Sequence, residues 1–177
     1  MSAPSGFVYL PDFVSPTEEA ELIAWIGGLP PASWEHPALM GRPARRDMAC
    51  FGRHYRTSGR RLDHAPPIPS ALAALRDRCQ AAAGEASAPF AQTIVTRYPT
   101  GAGIGAHTDA PAFGPIIAGV SLGSACEMHF ARGAVKTRWV LEPRSLYLLT
   151  GESRSAWTHQ IARCPSLRYS ITLRSLL

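Results

Sequence analysis

The chain has 177 residues, of which 46% are hydrophobic, and it carries a formal net charge of +5. This size and composition fit one globular domain over residues 1–177, with enough apolar residues to form a core. No run of about 18 apolar residues occurs, which excludes a transmembrane helix. Residues 1–13 show no export signal and the four cysteines form no C-x-x-C pair, so we expect a cytoplasmic protein with free thiols.

The first element along the chain is predicted to be a helix that begins after Ser15. Ser15 is a favourable N-cap, Pro16 suits the first helical position, and Glu18 completes a capping box. Gly27 and Gly28 are expected to end the helix, since glycine is the preferred residue at a helix C-terminus.

Residues 30–69 are rich in Pro, Gly, Arg and His, and we interpret them as a long irregular segment. Two short strands are expected within it, at Met48–Phe51 and Arg53–Thr57. An insertion of this length in a compact domain is usually functional or disordered. A second helix is predicted to begin after Ser70 and to run to about Ala83, since apolar side chains recur there at helical spacing before Gly84.

Short strands separated by turn residues dominate the chain from residue 91 onward. The predicted strands are Thr93–Tyr98, Ile116–Leu122, Glu127–Ala131, Thr137–Leu141, Ser145–Thr150 and Arg168–Leu173. Many short, evenly spaced strands favour a sandwich or a jelly roll. The predicted fold is therefore α+β and mainly β, with a double-stranded β-helix over residues 91–177 and two flanking helices.

Positive charge is concentrated in residues 42–61, which hold seven arginines and one acidic residue, Asp47. Such a cluster is the electrostatic footprint of a surface that binds a polyanion. The alternative is a solvated loop in a protein that uses arginine as its default cation, since Lys136 is the only lysine in the sequence.

His107 and Asp109 form an H-x-D pair, and His159 follows fifty positions after Asp109. In an extended segment, side chains two positions apart lie on the same face, so His107 and Asp109 can reach one ion. Two imidazoles and one carboxylate make the facial triad of non-haem Fe(II) oxygenases, which leaves coordination positions for O₂ and an oxoacid. The ligand set alone also suits Mn, Co, Ni or Zn, and His159 could instead be a hydrogen-bonded core histidine.

Several motifs between residues 92 and 174 resemble those of the AlkB family of Fe(II)/2-oxoglutarate dioxygenases, in the family's order. They are RYPTG at 97–101, GAHTD at 105–109, VSLG at 120–123, GESR at 151–154, WTH at 157–159 and RYSITLR at 168–174. The resemblance implies a jelly-roll oxygenase that uses Fe(II), 2-oxoglutarate and O₂.

The resemblance also implies a role for each matching side chain. Arg168 would pair with the distal carboxylate of 2-oxoglutarate with help from Tyr98, and Arg174 would lie near the chelating end of the oxoacid. Arg168 and Arg174 are six positions apart, so both face the same side of one strand. Without the resemblance, Tyr98 could be an ordinary sheet aromatic and Arg174 a solvated terminal charge. Three residues would bind the iron: His107, Asp109 and His159.

The chain departs from the family's pattern at three positions. Thr96 stands where Asn often precedes the shared tyrosine, and Ser170 stands where Asn commonly follows the first closing arginine. Both keep a hydrogen-bonding group for the oxoacid, but a shorter one. Pro111 replaces the acid that the DNA-repair members carry two residues after the iron-binding Asp, and proline cannot recognise a base edge through a carboxylate.

We predict an oxidative demethylase of N-alkylated bases in single-stranded DNA or RNA, which releases formaldehyde, succinate and CO₂. Residues 30–64 would form its nucleotide-recognition lid, because unstacked bases are bound by positive charge and aromatic planes. The lid residues predicted to contact substrate are Trp34, Arg45, Arg46, Phe51, His54 and Tyr55.

Two other functions remain open from the sequence. One is an oxygenase that acts on a protein side chain or a small molecule, because fold and cofactor do not fix the substrate. The other is a non-catalytic module that binds nucleic acid or senses a metal. We expect a monomer with no membrane partner.

Overall fold

The computed structural model describes residues 3–39, 42–56, 60–84 and 87–177. The helices in these ranges are α1 (Pro16–Gly27), α2 (Ala73–Ala83) and α3 (Gly151–Ser155). The strands before residue 70 are β1 (Phe7–Leu10), β2 (Ala38–Leu39), β3 (Arg42–Pro43), β4 (Asp47–Phe51), β5 (Arg53–Arg56) and β6 (Arg61–His64). The later strands are β7 (Gln92–Tyr98), β8 (Ile104–His107), β9 (Phe113–Leu122), β10 (Cys126–Arg132), β11 (Val135–Leu141), β12 (Leu146–Leu149), β13 (Thr158–Ile161) and β14 (Arg168–Leu176).

Two antiparallel sheets form the jelly roll, which confirms the predicted fold class. The six-stranded major sheet has the order β1-β12-β9-β14-β7-β4, and the four-stranded minor sheet has the order β11-β10-β13-β8. Strands β5 and β6 form a separate hairpin, as do β2 and β3. No helix within the described ranges is long and apolar enough to cross a membrane.

The apolar core has two layers, one on each side of the major sheet. On the outer side, α1 and α2 bury Leu22, Ile26 and Leu75 against Val95 and Ile171. Full burial of such a side chain stabilises the fold by about 1.5–3 kcal/mol. The layer between the two sheets contains residues from both. Its largest members include Ile117, Leu149, Met128 and Phe130.

The two predicted helices begin and end close to the expected positions. The backbone N–H of Glu18 donates to Ser15 Oγ at 3.1 Å, and Gly28 caps the C-terminus of α1. A 3₁₀ turn at Ser70–Leu72 precedes α2, which ends before Gly84.

Seven short strands and helices of the described ranges were not predicted as such: β1, β2, β3, β6, β8, β13 and α3. Each spans two to five residues, which is too short for a periodic pattern to stand out. The predicted strand Arg53–Thr57 is observed as Arg53–Arg56, and Thr57 lies outside the described residues.

Candidate active site

The two histidines of the predicted triad come from neighbouring strands of the minor sheet. His107 of β8 lies directly opposite His159 of β13, so both imidazoles are on the same face, with ring centroids 4.5 Å apart. Nδ1 of His107 is 2.9 Å from the carbonyl oxygen of Gly105. A carbonyl can only accept, so this bond places the proton on Nδ1 and leaves Nε2 of His107 as a lone-pair donor.

Asp109 follows β8 and is 8% exposed. Its Oδ2 is 3.6 Å from Nε2 of His159, while its Oδ1 accepts from Nε and Nη2 of Arg174 at 2.8 and 2.7 Å. Burial would raise the pKa of Asp109, but Arg174 and the two histidines outweigh burial and lower the pKa to about 2. Burial lowers the pKa of His159 to about 4, so its imidazole is neutral at pH 7, the form that binds metals.

These three side chains fit a divalent metal by their chemistry, and Asp109 and His159 also fit one by their spacing. Asp109 Oδ2 is buried and has no hydrogen-bond partner in the described part of the chain, so an electron-pair acceptor is missing there. Two atoms that each bond one ion at about 2.1 Å can be up to ~4.2 Å apart, and the 3.6 Å between Oδ2 and His159 Nε2 is within that limit. No three His, Cys, Asp or Glu side chains of the described ranges form a completed metal site. Binding of Fe(II) would therefore draw the three side chains closer together.

Arg168 is the most completely buried charged residue, with 0% exposure. Its Nε donates to Ser121 Oγ at 3.0 Å, and its Cζ lies 5.0 Å from the centroid of the Tyr98 ring. Both terminal nitrogens of the guanidinium are buried and lack a hydrogen-bond partner among the described residues. A buried cation without a partner is costly, and a carboxylate matches this planar fork. The arrangement fits the distal carboxylate of 2-oxoglutarate.

A pocket of about 70 Å³ brings most of the predicted site residues together. Its walls include His107, Asp109, His159, Arg174, Thr96, Tyr98 and Ser170. Thr96 and Ser170 lie opposite each other on β7 and β14. A larger hollow of about 460 Å³ lies on the other face of the minor sheet and contains none of these residues. We place the chemistry in the smaller pocket because Asp109 and His159, which each have a buried polar atom without a partner in the described chain, line it.

Arg154 of α3 is a site residue to which the sequence assigned no role. It is 8% exposed, and its guanidinium donates to the carbonyl oxygens of Asp109, Ala110, Phe113 and Gly114 at 3.0–3.3 Å. It therefore holds the loop that carries the proposed metal-binding carboxylate. The GESR motif at 151–154 marked Arg154 in the sequence, but the motif does not reveal its hydrogen bonds to the carbonyl oxygens.

The β5–β6 hairpin places Tyr55 near the pocket, with Phe113 between its ring and the pocket residue Arg174. The Tyr55 ring lies 5.6 Å from the Phe113 ring, which in turn lies 5.1 Å from Arg174 Cζ. His54, the preceding residue of the strand, points the other way and pairs with Glu35 at 3.3 Å. Of these two predicted substrate residues, only Tyr55 lies near the pocket.

Phe51 and Trp34 lie on the helix side of the major sheet, away from the pocket. Phe51 is 6% exposed and its ring packs near Trp25. Trp34 packs against the outer core layer, and Arg97 covers its ring at 4.7 Å. The prediction that Phe51 stacks on a substrate base is wrong, because successive strand residues face opposite sides of the sheet and Phe51 faces the helices. Trp34 is not on a strand, and its ring lies under Arg97 on the helix side, so the same prediction does not fit its position.

The predicted basic patch is partly neutralised by acids outside residues 42–61. Arg56 and Arg61 pair with Asp63 at 3.3 and 3.0 Å, and Arg56 also lies 4.0 Å from Glu35. Arg45 is exposed beside the turn at residue 101, and Arg46 lines the pocket. The surface that could meet a polyanion is therefore smaller than the count of arginines indicates.

Comparisons with known proteins agree with this geometry. The family model of the 2OG-Fe(II) oxygenase superfamily matches residues 6–174. The chain is 30% identical over 217 residues to the alkylated DNA repair protein ALKBH8 homolog of Arabidopsis thaliana, with 97% of this chain and 58% of that protein covered. It is 30% identical over 168 residues to tRNA (carboxymethyluridine(34)-5-O)-methyltransferase alkbh8 of Xenopus tropicalis, with 90% and 26% covered. The chain thus spans only part of the length of these relatives.

The fold is also shared with the solved structure of OsALKBH1. The two superpose with a TM-score of 0.73 at 18% identity, over 99% of both chains. The predicted AlkB resemblance and the predicted cofactors, Fe(II), 2-oxoglutarate and O₂, are confirmed by these findings together. The chain belongs to the 2OG-Fe(II) oxygenase superfamily as an AlkB-like member, and it is an Fe(II)/2-oxoglutarate-dependent dioxygenase.

Proposed function

We propose that the protein oxidises an N-alkyl group on a base in single-stranded DNA or RNA and removes it as formaldehyde. The observation that supports this substrate best is the placement of Arg46 in, and of Tyr55 near, the pocket that contains the metal-binding triad. An aromatic plane and a cation are the groups that bind an unstacked nucleotide.

Each residue of the pocket has a definite task in this reaction. His107, Asp109 and His159 would hold Fe(II), which supplies the oxidising chemistry of O₂ as 2-oxoglutarate is converted to succinate and CO₂. Arg168 would bind the distal carboxylate of the oxoacid with two parallel hydrogen bonds, and Ser121 fixes the angle of its guanidinium. Arg174 keeps Asp109 ionised and oriented.

The relatives support a nucleic acid as substrate without deciding which one. The Arabidopsis relative is named for repair of alkylated DNA, and the Xenopus relative is named for modification of tRNA. Because the chain spans 58% and 26% of these proteins, their activities come to this chain as a proposal only.

The test is formaldehyde release from single-stranded DNA and RNA oligonucleotides that each contain one N-methylated base, with Fe(II), 2-oxoglutarate and O₂. We expect release that is lost in the His107→Ala variant and that weakens as salt is raised, since phosphate contacts release counterions. Absence of release from every oligonucleotide, while 2-oxoglutarate is still turned over, would contradict the proposal. That result would favour a protein side chain or a small molecule instead.

A further inference from the structure

Arg46 is the one cation that lines the pocket without an acid or a carbonyl to hold it, among the residues the structure describes. It precedes β4, is partly buried and lines the same pocket as His107, Asp109 and Tyr98. Burial lowers the pKa of Arg46, and Tyr98 partly offsets this effect. An arginine keeps its charge in such a place, so a formal positive charge faces the pocket.

Three other arginines are satisfied by the protein, and Arg168, whose terminal nitrogens lack a partner in the described chain, is already assigned to the oxoacid. Arg174 pairs with Asp109, Arg97 pairs with Asp47, and Arg154 donates to four carbonyl oxygens. Within the described ranges, Arg46 makes no such hydrogen bond or ion pair. Its five donors are therefore available to a molecule that enters the pocket.

No acid in the pocket offsets this charge. Asp109 is the only carboxylate lining the pocket among the described residues, and it is already bound to Arg174. Two positions after Asp109 the chain has Pro111, which carries no charge. A divalent metal and the dianionic oxoacid that would bind with it cancel each other's formal charge, so the charge of Arg46 remains and a cationic substrate would meet repulsion there.

The charge of a methylated base depends on which base it is. Methylation of N3 in cytosine gives a cation, whereas methylation of N3 in uracil gives a neutral base with a carbonyl oxygen on each side of the methyl group. The two bases have nearly the same shape. An arginine fork can donate to a carbonyl oxygen, but it repels a cation.

We propose that Arg46 makes the pocket select an uncharged, carbonyl-edged base of the 3-methyluracil class over cationic bases of the 3-methylcytosine class. This inference rests on the proposed function, because it assumes that an N-alkylated base enters the pocket. It narrows the substrate class and assigns the selectivity to one residue.

The test compares two RNA oligonucleotides that differ only in 3-methyluracil or 3-methylcytosine at one position. Formaldehyde release would be measured for both, and affinity would be measured without O₂ on the enzyme loaded with Fe(II) and 2-oxoglutarate. We expect kcat/KM and affinity to favour 3-methyluracil by about tenfold or more, since like charges in a binding site are strongly unfavourable.

Three variants assign this preference to a residue. Arg46→Met keeps the length of the side chain but removes the charge and the donors, and we expect the preference to fall about tenfold. Arg46→Lys retains the charge, so we expect discrimination against 3-methylcytosine to persist while turnover of 3-methyluracil falls. Arg45→Met changes the neighbouring exposed arginine, and we expect it to weaken the binding of both oligonucleotides by the same factor. Melting temperatures establish that the variants are folded.

The outcomes separate the two proposals. A preference for 3-methylcytosine, or a preference that Arg46→Met does not change, would overturn the role of Arg46 and leave the proposed function intact. Turnover of 2-oxoglutarate can also be measured without any oligonucleotide. If Arg46→Met lowers this turnover as much as it lowers oligonucleotide oxidation, Arg46 acts on the oxoacid and the inference is overturned. If neither oligonucleotide is bound or oxidised while 2-oxoglutarate turnover continues, the role of Arg46 is wrong; the proposed function is wrong as well only if the other methylated DNA and RNA oligonucleotides also fail.

Discussion

Asp47 of β4 and Arg168 of β14 are buried charged residues on opposite faces of the major sheet, and they differ in whether the protein supplies their partners. On the helix side, Asp47 is held by His36 at 2.7 Å and by two nitrogens of Arg97 at 2.6 and 2.8 Å. On the pocket side, Arg168 has two buried nitrogens with no partner in the described chain. A polar group that the fold has satisfied holds the fold together, and one that the fold leaves unsatisfied marks where a ligand belongs.

The same strands thus serve stability on one face and binding on the other. Alternation of side chains along a strand makes this possible, since adjacent residues point in opposite directions. Ile171 enters the helix-covered core, while Ser170 and Thr172 line the pocket. A substitution on these strands should therefore change stability if the side chain faces the helices, and cofactor binding if it faces the pocket.

The largest effect is expected for His107→Ala. The imidazole is only partly buried, so its removal should leave the fold intact, while Fe(II) affinity and 2-oxoglutarate turnover fall by more than about 100-fold. Fe(II) titration and succinate formation measure this loss. His129→Ala is the matched control, because His129 lies on the other face of the minor sheet and pairs with Glu127. Turnover retained in His107→Ala would exclude His107 as a metal ligand.

Arg168→Met should separate binding from stability. Loss of two charge-assisted hydrogen bonds should raise the KM for 2-oxoglutarate about 100-fold. Without the oxoacid, the melting temperature should stay the same or rise, because the variant no longer buries an unpaired charge.

Asp47→Asn is the counterpart of this variant on the helix face. It weakens the contacts with His36 and Arg97, so it should lower the free energy of unfolding by about 1–3 kcal/mol and leave the KM for 2-oxoglutarate unchanged. Identical behaviour of the two variants would contradict the distinction between the faces.

Arg154→Lys should reduce Fe(II) affinity by about tenfold, because outer-shell partners of a metal site typically contribute this much or more. Lysine retains the charge but cannot reach four carbonyl oxygens in the fixed geometry of a guanidinium. Fe(II) affinity would be measured for the variant and the unmodified protein under conditions in which both are equally folded. A lower affinity of the variant would then reflect a misplaced loop rather than unfolded protein. An unchanged Fe(II) affinity in a destabilised protein would show that Arg154 supports the fold alone.

The smallest effect on binding is expected when Tyr55 and Trp34, two aromatic residues on different sides of the major sheet, are compared. Tyr55→Ala should weaken binding of a single-stranded oligonucleotide by about tenfold, since one base stacked on an aromatic ring contributes about 1–3 kcal/mol. Trp34→Ala should lower stability but leave oligonucleotide affinity unchanged, because its ring lies under Arg97 on the helix side. The reverse result would restore Trp34 as a substrate residue.

Residue roles could be predicted more specifically for the jelly roll, residues 91–177, than for the proposed lid, residues 30–64, and the reason is physical. Roles could be proposed for His107 and Asp109 because the H-x-D spacing is distinctive, and for Arg168 because its motif resembles that of the AlkB family. Phe51 and Trp34 were misplaced because aromatic residues serve equally well in a core and in a binding surface. The face on which Phe51 lies depends on the register between β4 and β7, which composition does not encode.

Arg154 was missed for a different reason. Its role depends on four backbone carbonyl oxygens of residues 109–114, some forty positions away in the chain. Backbone groups leave no trace in the amino-acid sequence, so no motif could have shown them. The absence of a partner for Arg46 likewise becomes visible only when the neighbouring acids are located in space.

The position of β8 at the end of the minor sheet has a consequence for folding. β8 is held by hydrogen bonds to β13 alone within that sheet, and strands at an edge open first in local unfolding. An ion shared by His107 and His159 would act as a cross-link between these two strands. Metal loading would then slow hydrogen exchange of the β8 amides, and a one-residue slip in their pairing would abolish binding. Binding of the metal would thus require that β8 and β13 are paired in the native register.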